Sequence, residues 1–256
     1  MPTILTCGIG INTKVLSGSH GSGGLDRGAN TEQWIDSGQQ INHSCEVTIM
    51  ASNLSYKSFS KFYDIFELIF LLGRKGNPRL GLLDAIGNAP LHVLDVGVGT
   101  AASAILVAGH NAQNHVVGID TSAAMLAAAR RRITQRGLTN LEVFNMSAAD
   151  MRYADESFDV VMASFALHEF EPPLREKTFQ EISRVLKPGG IFYVIDFAPQ
   201  DDRATRIFLK LWALVEPPCF AGFLAMDWHR HLTAYGLRLE DEREYSFSKL
   251  YLLRKA

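Results

Sequence analysis

The chain has 256 residues, 47% of them hydrophobic and 20% charged, with a formal net charge of -2. Those values belong to a folded globular protein and exclude a disordered or membrane-spanning one, and the lack of a global basic field argues against nucleic acid as a partner. Cys7, Cys45 and Cys219 are odd in number and widely scattered, which excludes a disulfide framework or a paired-cysteine zinc site and fits a reducing cytoplasm.

Residues 1–49 hold eight of the 21 glycines, include SGSHGSGG at 17–24 and keep no period for long. They read as a flexible N-terminal extension. Met50 opens MASNLSYKSFSKFYD, where helical patterning begins, so the functional unit is expected to start there. Over 58–72, Phe59, Phe62, Ile65, Phe66, Ile69, Phe70 and Leu72 recur at three- and four-residue intervals, the pattern of a helix with a broad apolar face. Gly73 ends it, Arg74, Lys75 and Arg79 follow, and Pro78 starts a second short helix through about Ile86. Residues 50–89 are therefore expected either to form a helical lid over an apolar substrate, with cations suited to peripheral membrane contact, or to pack onto the core.

From residue 90 to the end the rhythm changes. Strands are expected at 92–96, 115–119, 141–145, 158–163 and 191–196, with helices at 101–109, 122–136 and 174–186 between them. This alternation implies an α/β fold: a doubly wound, Rossmann-like, mostly parallel sheet with helices on both faces. Helices at 204–215 and 227–234 follow, and two strand-like runs at 237–245 and 247–254 are read as closing strands, with an antiparallel partner at the sheet edge. Such sheets bind ligands beyond the carboxyl ends of their strands, where the strand order reverses.

The strongest motif is VLDVGVGTA at 93–101, a buried strand that ends at Asp95 and turns through Gly97 and Gly99 into a helix. Glycines there let the backbone turn tightly and approach a ligand. Dinucleotide dehydrogenases use the same device, but a carboxylate in this place suits the ammonium of an amino acid ligand and would repel a pyrophosphate. Asp120 closes the second strand, VVGID, about 20 residues later, followed by Thr121 and Ser122. It can accept hydrogen bonds from a ribose diol, or cap the next helix. In NMSAADM, Asp150 can accept the exocyclic amine of an adenine while Met151 covers the ring; a loop Asp is equally a turn former. The strand at 158–163 delivers Ser164, Phe165, His168 and Glu169 to the pocket rim.

Taken together, residues 90–197 resemble the class I S-adenosylmethionine-dependent methyltransferases in motif order and spacing. On that resemblance the cofactor is S-adenosyl-L-methionine; Asp95, Gly97 and Gly99 fall on the family's first motif, Asp120 on its ribose-binding acid and Asp150 on its adenine-contacting acid. Members usually carry a third glycine where Ala101 stands, which implies weaker or shifted cofactor binding. KFYD at 61–64 and the LHEF segment resemble the methyltransferases that act on quinone rings, lipids and other small molecules.

Methyl transfer from a sulfonium is an in-line displacement, so the protein must chiefly align the acceptor and exclude water. His168 is the candidate general base, because its ordinary pKa lies near neutrality; a packed polar role is the alternative. Tyr63, Phe197 and Trp212, with Phe220 and Trp228, are candidate walls of an apolar substrate pocket, or plain core. His229 and His231 do not suit a metal, since a helix points them apart and no further ligand completes a set. Two other functions stay open: a methyltransferase-fold protein that binds cofactor without catalysis, and a nicotinamide-dependent oxidoreductase, which Asp95 opposes.

Overall fold

Runs of Val, Ile and Leu that alternate between two buried faces make the strands. In the computed structural model, which describes residues 76–214 and 216–256, they are β1 (His92–Val96), β2 (His115–Asp120), β3 (Leu141–Asn145), β4 (Phe158–Ser164), β5 (Leu186–Phe197), β6 (Leu237–Glu244) and β7 (Ser248–Lys255). The helices are α1 (Pro78–Ile86), α2 (Ala102–His110), α3 (Ala123–Gln135), α4 (Pro172–Val185), α5 (Arg203–Trp212), α6 (Phe220–Leu224) and α7 (Trp228–Thr233), with a 3-10 turn at Leu167–Glu169. The extension at 1–49, the helix expected at 58–72 with Tyr63, and the cations Arg74 and Lys75 lie outside the described residues.

The sheet order is β3-β2-β1-β4-β5-β7-β6, parallel except for β7, which runs antiparallel to both β5 and β6. The chain winds from β1 through β2 to β3 on one side, then returns to place β4 on the other side of β1. The switch point therefore lies between β1 and β4. Leu94, Val96, Val161, Ala163, Phe192 and Val194 pack with Phe179 and Ile182 of α4 on one face. Val93, Val160, Met162, Tyr193 and Ile195 pack with α2, α3 and Leu82 of α1 on the other. Burying each such side chain is worth about 1.5–3 kcal/mol, and a one-residue slip would exchange the two sets between the faces.

Helix α1 starts where expected. Asn77 accepts the Arg79 N–H as N-cap and Pro78 occupies the first turn. Leu82 and Ile86 are buried in the core, so α1 packs on the sheet. The strand expected at 191–196 begins instead at Leu186, and Pro188-Gly189-Gly190 does not form a free turn. Phe158 pairs with Leu186 and Val160 with Ile191, so residues 187–190 loop out opposite Asp159, whose Oδ1 receives Lys187 Nζ at 2.6 Å. The helix expected at 204–215 ends at Trp212, and α6 and the 3-10 turn carry no periodic signal because each is only one turn long.

Candidate active site

At the carboxyl end of β1 the backbone turns through left-handed residues: Gly97 has φ +68°, Gly99 φ +51° and Ala101 φ +64°. Gly97 and Val98 donate to the Ile119 carbonyl at 2.9 and 3.0 Å, and Ala101 to the Val98 carbonyl at 2.8 Å, which closes the turn before α2. The two glycines serve different ends. A Cβ at Gly97 would lie 2.5 Å from the Ala166 Cβ, whereas one at Gly99 would meet nothing nearer than 4.0 Å. Gly97 is thus required by the protein's own packing, and Gly99 leaves an open approach to its backbone. Phe165, itself left-handed at φ +53°, supplies the kink that carries Ala166 against Gly97.

Asp95 points into the face shared with α2 and is only 2% exposed. Burial pushes its carboxyl up to about 8, against the lowering pull of the Arg79 guanidinium and the Ala104 backbone N–H. Its Oδ1 is buried with no hydrogen-bond partner among the described residues. Arg79 reaches this corner from α1: its Nε donates to Ser103 Oγ at 3.1 Å, and its guanidinium lies 5.8 Å from the centre of the Phe165 ring.

Asp120 ends β2 with Oδ2 accepting the Gly99 N–H at 2.9 Å and Oδ1 accepting the Ser122 N–H at 2.8 Å. The cap of α3 is Ser122, whose Oγ accepts from Met125, so the capping alternative for Asp120 falls to its neighbour. Thr121 is exposed, and its carbonyl accepts from Asn145 Nδ2 at 3.0 Å. Asp150 is exposed at a turn whose N–H donates to Ser147. Met151 is buried in the main core and its N–H donates to Glu181 at 2.8 Å. Ser164, half-buried at the end of β4, has an Oγ without a partner among the described residues.

His168 lies behind this rim, 1% exposed. Its Nδ1 is 2.7 Å from Asp196 Oδ1, and Nε2 is 3.7 Å from Glu216 Oε2 and 4.0 Å from Glu169 Oε1. Burial alone would lower its pKa, but the charge and hydrogen bond of Asp196, then Glu169 and Glu216, lift it above the usual histidine value. Burial pushes the Glu216 carboxyl up, against the pull of His168. The ring is thus held at Nδ1 by Asp196, with Nε2 turned toward Glu216 and Glu169.

Aromatic rings continue from there. Phe197 lies edge-on to His168, Phe165 and Phe220, and its centroid is 6.2 Å from that of Trp212, which stacks on Phe208. Phe197 and Trp212 are thus brought together. Trp228 stacks on Tyr251 inside the main core, and Phe220, like Phe197, is buried. His231 pairs with Glu176 at 3.0 Å.

The expected Asp95, Gly97, Gly99, Asp120 and Ser164 all gather about the end of β1 and the adjoining end of β4 or β2. Arg79, Asp196 and Glu216 were missed. Asp196 carried a signal, a lone acid in the apolar run IFYVIDF; Arg79 and Glu216 lie in segments whose placement only the tertiary fold decides.

Residues 93–190 match the family of methyltransferase domains. A demethylmenaquinone methyltransferase of Thermus thermophilus is 29% identical over 164 residues, 64% of this chain and 73% of the relative. One from Listeria monocytogenes is 31% identical over 155 residues, 60% of this chain and 63% of the relative. The chain thus spans about two thirds of the length of these relatives. A crystallised S-adenosylmethionine-dependent methyltransferase from Aquifex aeolicus superposes with a TM-score of 0.60 at 22% identity, covering 77% of this chain and 98% of that one; at that identity the likeness is one of fold.

Proposed function

This chain belongs to the class I S-adenosylmethionine-dependent methyltransferases, and we propose that it transfers a methyl group to a small apolar or aromatic acceptor of the quinone or lipid kind. The observation that carries the reading is the buried Asp95 Oδ1, an acceptor without a partner among the described residues at the switch point, beside a glycine turn with an open approach. An isolated buried carboxylate is costly, and a ligand ammonium relieves that cost.

The residues fit the cofactor. Asp95 takes the methionyl ammonium and Arg79 supplies the matching charge for the carboxylate. Each Asp120 oxygen accepts one backbone N–H, which leaves lone pairs for ribose hydroxyls. We assign Asp150 to the adenine amine and Ser164 to the rim. Bound there, S-adenosylmethionine supplies a methyl group already activated on a sulfonium. The chain's own task is to align the acceptor and keep out water, which we assign to Phe165, Phe197 and Trp212, with Tyr63, outside the described residues, as a further candidate.

Where the acceptor must lose a proton, Asp196, His168 and Glu216 form the route. Asp196 fixes the His168 ring at Nδ1, and His168 Nε2, with the Glu216 carboxylate beside it, takes the proton. The demethylmenaquinone methyltransferases at 29–31% identity support a quinone-like acceptor, and such molecules dissolve in bilayers, so peripheral membrane contact belongs to the same reading.

The test is transfer of labelled methyl from S-adenosylmethionine to a reduced demethylquinone and to a fractionated lipid extract. Label in the quinol or an apolar fraction is expected. Tight binding of S-adenosylhomocysteine with no label in any fraction would leave a cofactor-binding protein without catalysis.

A further inference from the structure

Helix α5 presents two different sides. Inward, Leu209 is buried and Phe208 and Trp212 join Phe197 in the aromatic cluster beside the site. Outward, Ile207, Leu211 and Leu214 stand at helical spacing along one stripe, 50%, 62% and 80% exposed. Arg203, Arg206 and Lys210 form a parallel stripe on the adjacent flank, all exposed. The acids of this stretch, Asp201 and Asp202, lie at its N-terminal edge, where Asp202 caps the helix by accepting the Thr205 N–H at 2.8 Å. In a chain of net charge -2, three cations beside three exposed aliphatic residues are a local inversion of the molecule's own field.

We propose that the outer face of α5 docks on the surface of an anionic lipid bilayer, apolar stripe inserted among the acyl chains and basic stripe against the headgroups. An aliphatic stripe flanked by Lys and Arg is what an interfacial helix requires, and exposed large aliphatics on adjacent turns are unfavourable in water. Charge complementarity selects the occupant: a second copy of this chain would bring the same three cations against themselves, whereas anionic headgroups neutralise them. Docking here sets the aromatic cluster on the inner side of α5 next to the phase in which an apolar acceptor dissolves. This rests on the proposed function only for its purpose; the docking itself does not depend on it.

The test is co-sedimentation of the full chain with phosphatidylcholine vesicles, with and without phosphatidylglycerol, at low and physiological salt. Neither cofactor nor acceptor is added, so failure of docking and failure of methyl transfer remain separate results. Binding to the anionic vesicles is expected, weakened about tenfold or more in Ile207→Ser/Leu211→Ser and about fivefold for each charge removed in Arg206→Gln/Lys210→Gln. Both variants should still bind S-adenosylhomocysteine, since none of the four residues touches the site. The proposal is overturned by no binding to anionic vesicles at low salt, by equal binding of the Ser variant, or by a dimer of the wild type that the Ser variant converts to monomer.

Discussion

His168 Nδ1 lies 2.7 Å from Asp196 Oδ1, while the other oxygen of Asp196 accepts the backbone N–H groups of Leu167 and His168. The end of β5 thereby holds the 3-10 turn after β4 in place. A histidine whose pKa is raised on folding contributes stability that is full below its unfolded value of about 6.5 and lost as pH rises through the folded value. The stability gap between wild type and His168→Gln should therefore be widest below pH 6.5 and narrow as the solution becomes alkaline. Denaturant melts over that range measure it, and a gap independent of pH would reduce the ring to a packing role.

Asp95 gives a binding prediction of opposite use. With its pKa pushed up to about 8, the carboxyl is largely protonated at pH 6 to 7, and a ligand ammonium must expel that proton. Binding of S-adenosylhomocysteine should release about one proton and tighten close to tenfold per pH unit below 8. Calorimetry in buffers of different ionisation enthalpy reads the proton directly. Asp95→Asn should remove the pH dependence and weaken binding by about 1.5–3 kcal/mol, roughly ten-fold to more than a hundred-fold; a pH-independent wild type would remove the ammonium role.

What could be read in the sequence and what could not follow one physical division. Element type and face were legible because apolar periodicity encodes burial; Asp95, Gly97 and Gly99 were legible because a strand-to-helix turn fixes them within a few residues of one another, and Asp120 because it closes the next strand. The burial of Met151 was not legible, because a methionine in a loop carries no mark of the side it packs on. Arg79 and Glu216 come from segments remote in the chain from the ends of β1 and β4, where no local period registers what they face.

Asp120 separates ligand binding from loop support. Both of its oxygens accept backbone N–H groups, from Gly99 and Ser122. Asp120→Asn keeps one acceptor and should retain some affinity for S-adenosylhomocysteine, with a modest fall in Tm. Asp120→Leu leaves two donors facing an apolar side chain, costing about 1–3 kcal/mol of stability for each that water does not reach, and should bind very little. Equal losses of affinity in the two variants, matched by equal losses of Tm, would assign Asp120 to supporting the turn alone.

The last prediction concerns Ala101, the third left-handed residue of the turn after β1. Its φ of +64° is left-handed, a strain of about 1–2 kcal/mol for a residue with a Cβ. Its methyl is completely buried in the core formed with α2 and α3, so the turn keeps its shape and the methyl is held by the protein. Replacing it with glycine relieves the strain, but loses about 0.8 kcal/mol of burial and adds about 0.4–1 kcal/mol of unfolded-chain entropy. The effects nearly cancel, so Ala101→Gly should shift Tm by no more than a few degrees and leave affinity for S-adenosylhomocysteine unchanged. Ala101→Val has the strain of a β-branched left-handed residue and two extra methyl groups in a filled core, and should lose more than about 2 kcal/mol. Thermal melts and cofactor titrations of the two variants decide the matter: a tenfold gain in affinity for the glycine variant would mean that the methyl crowds the cofactor after all.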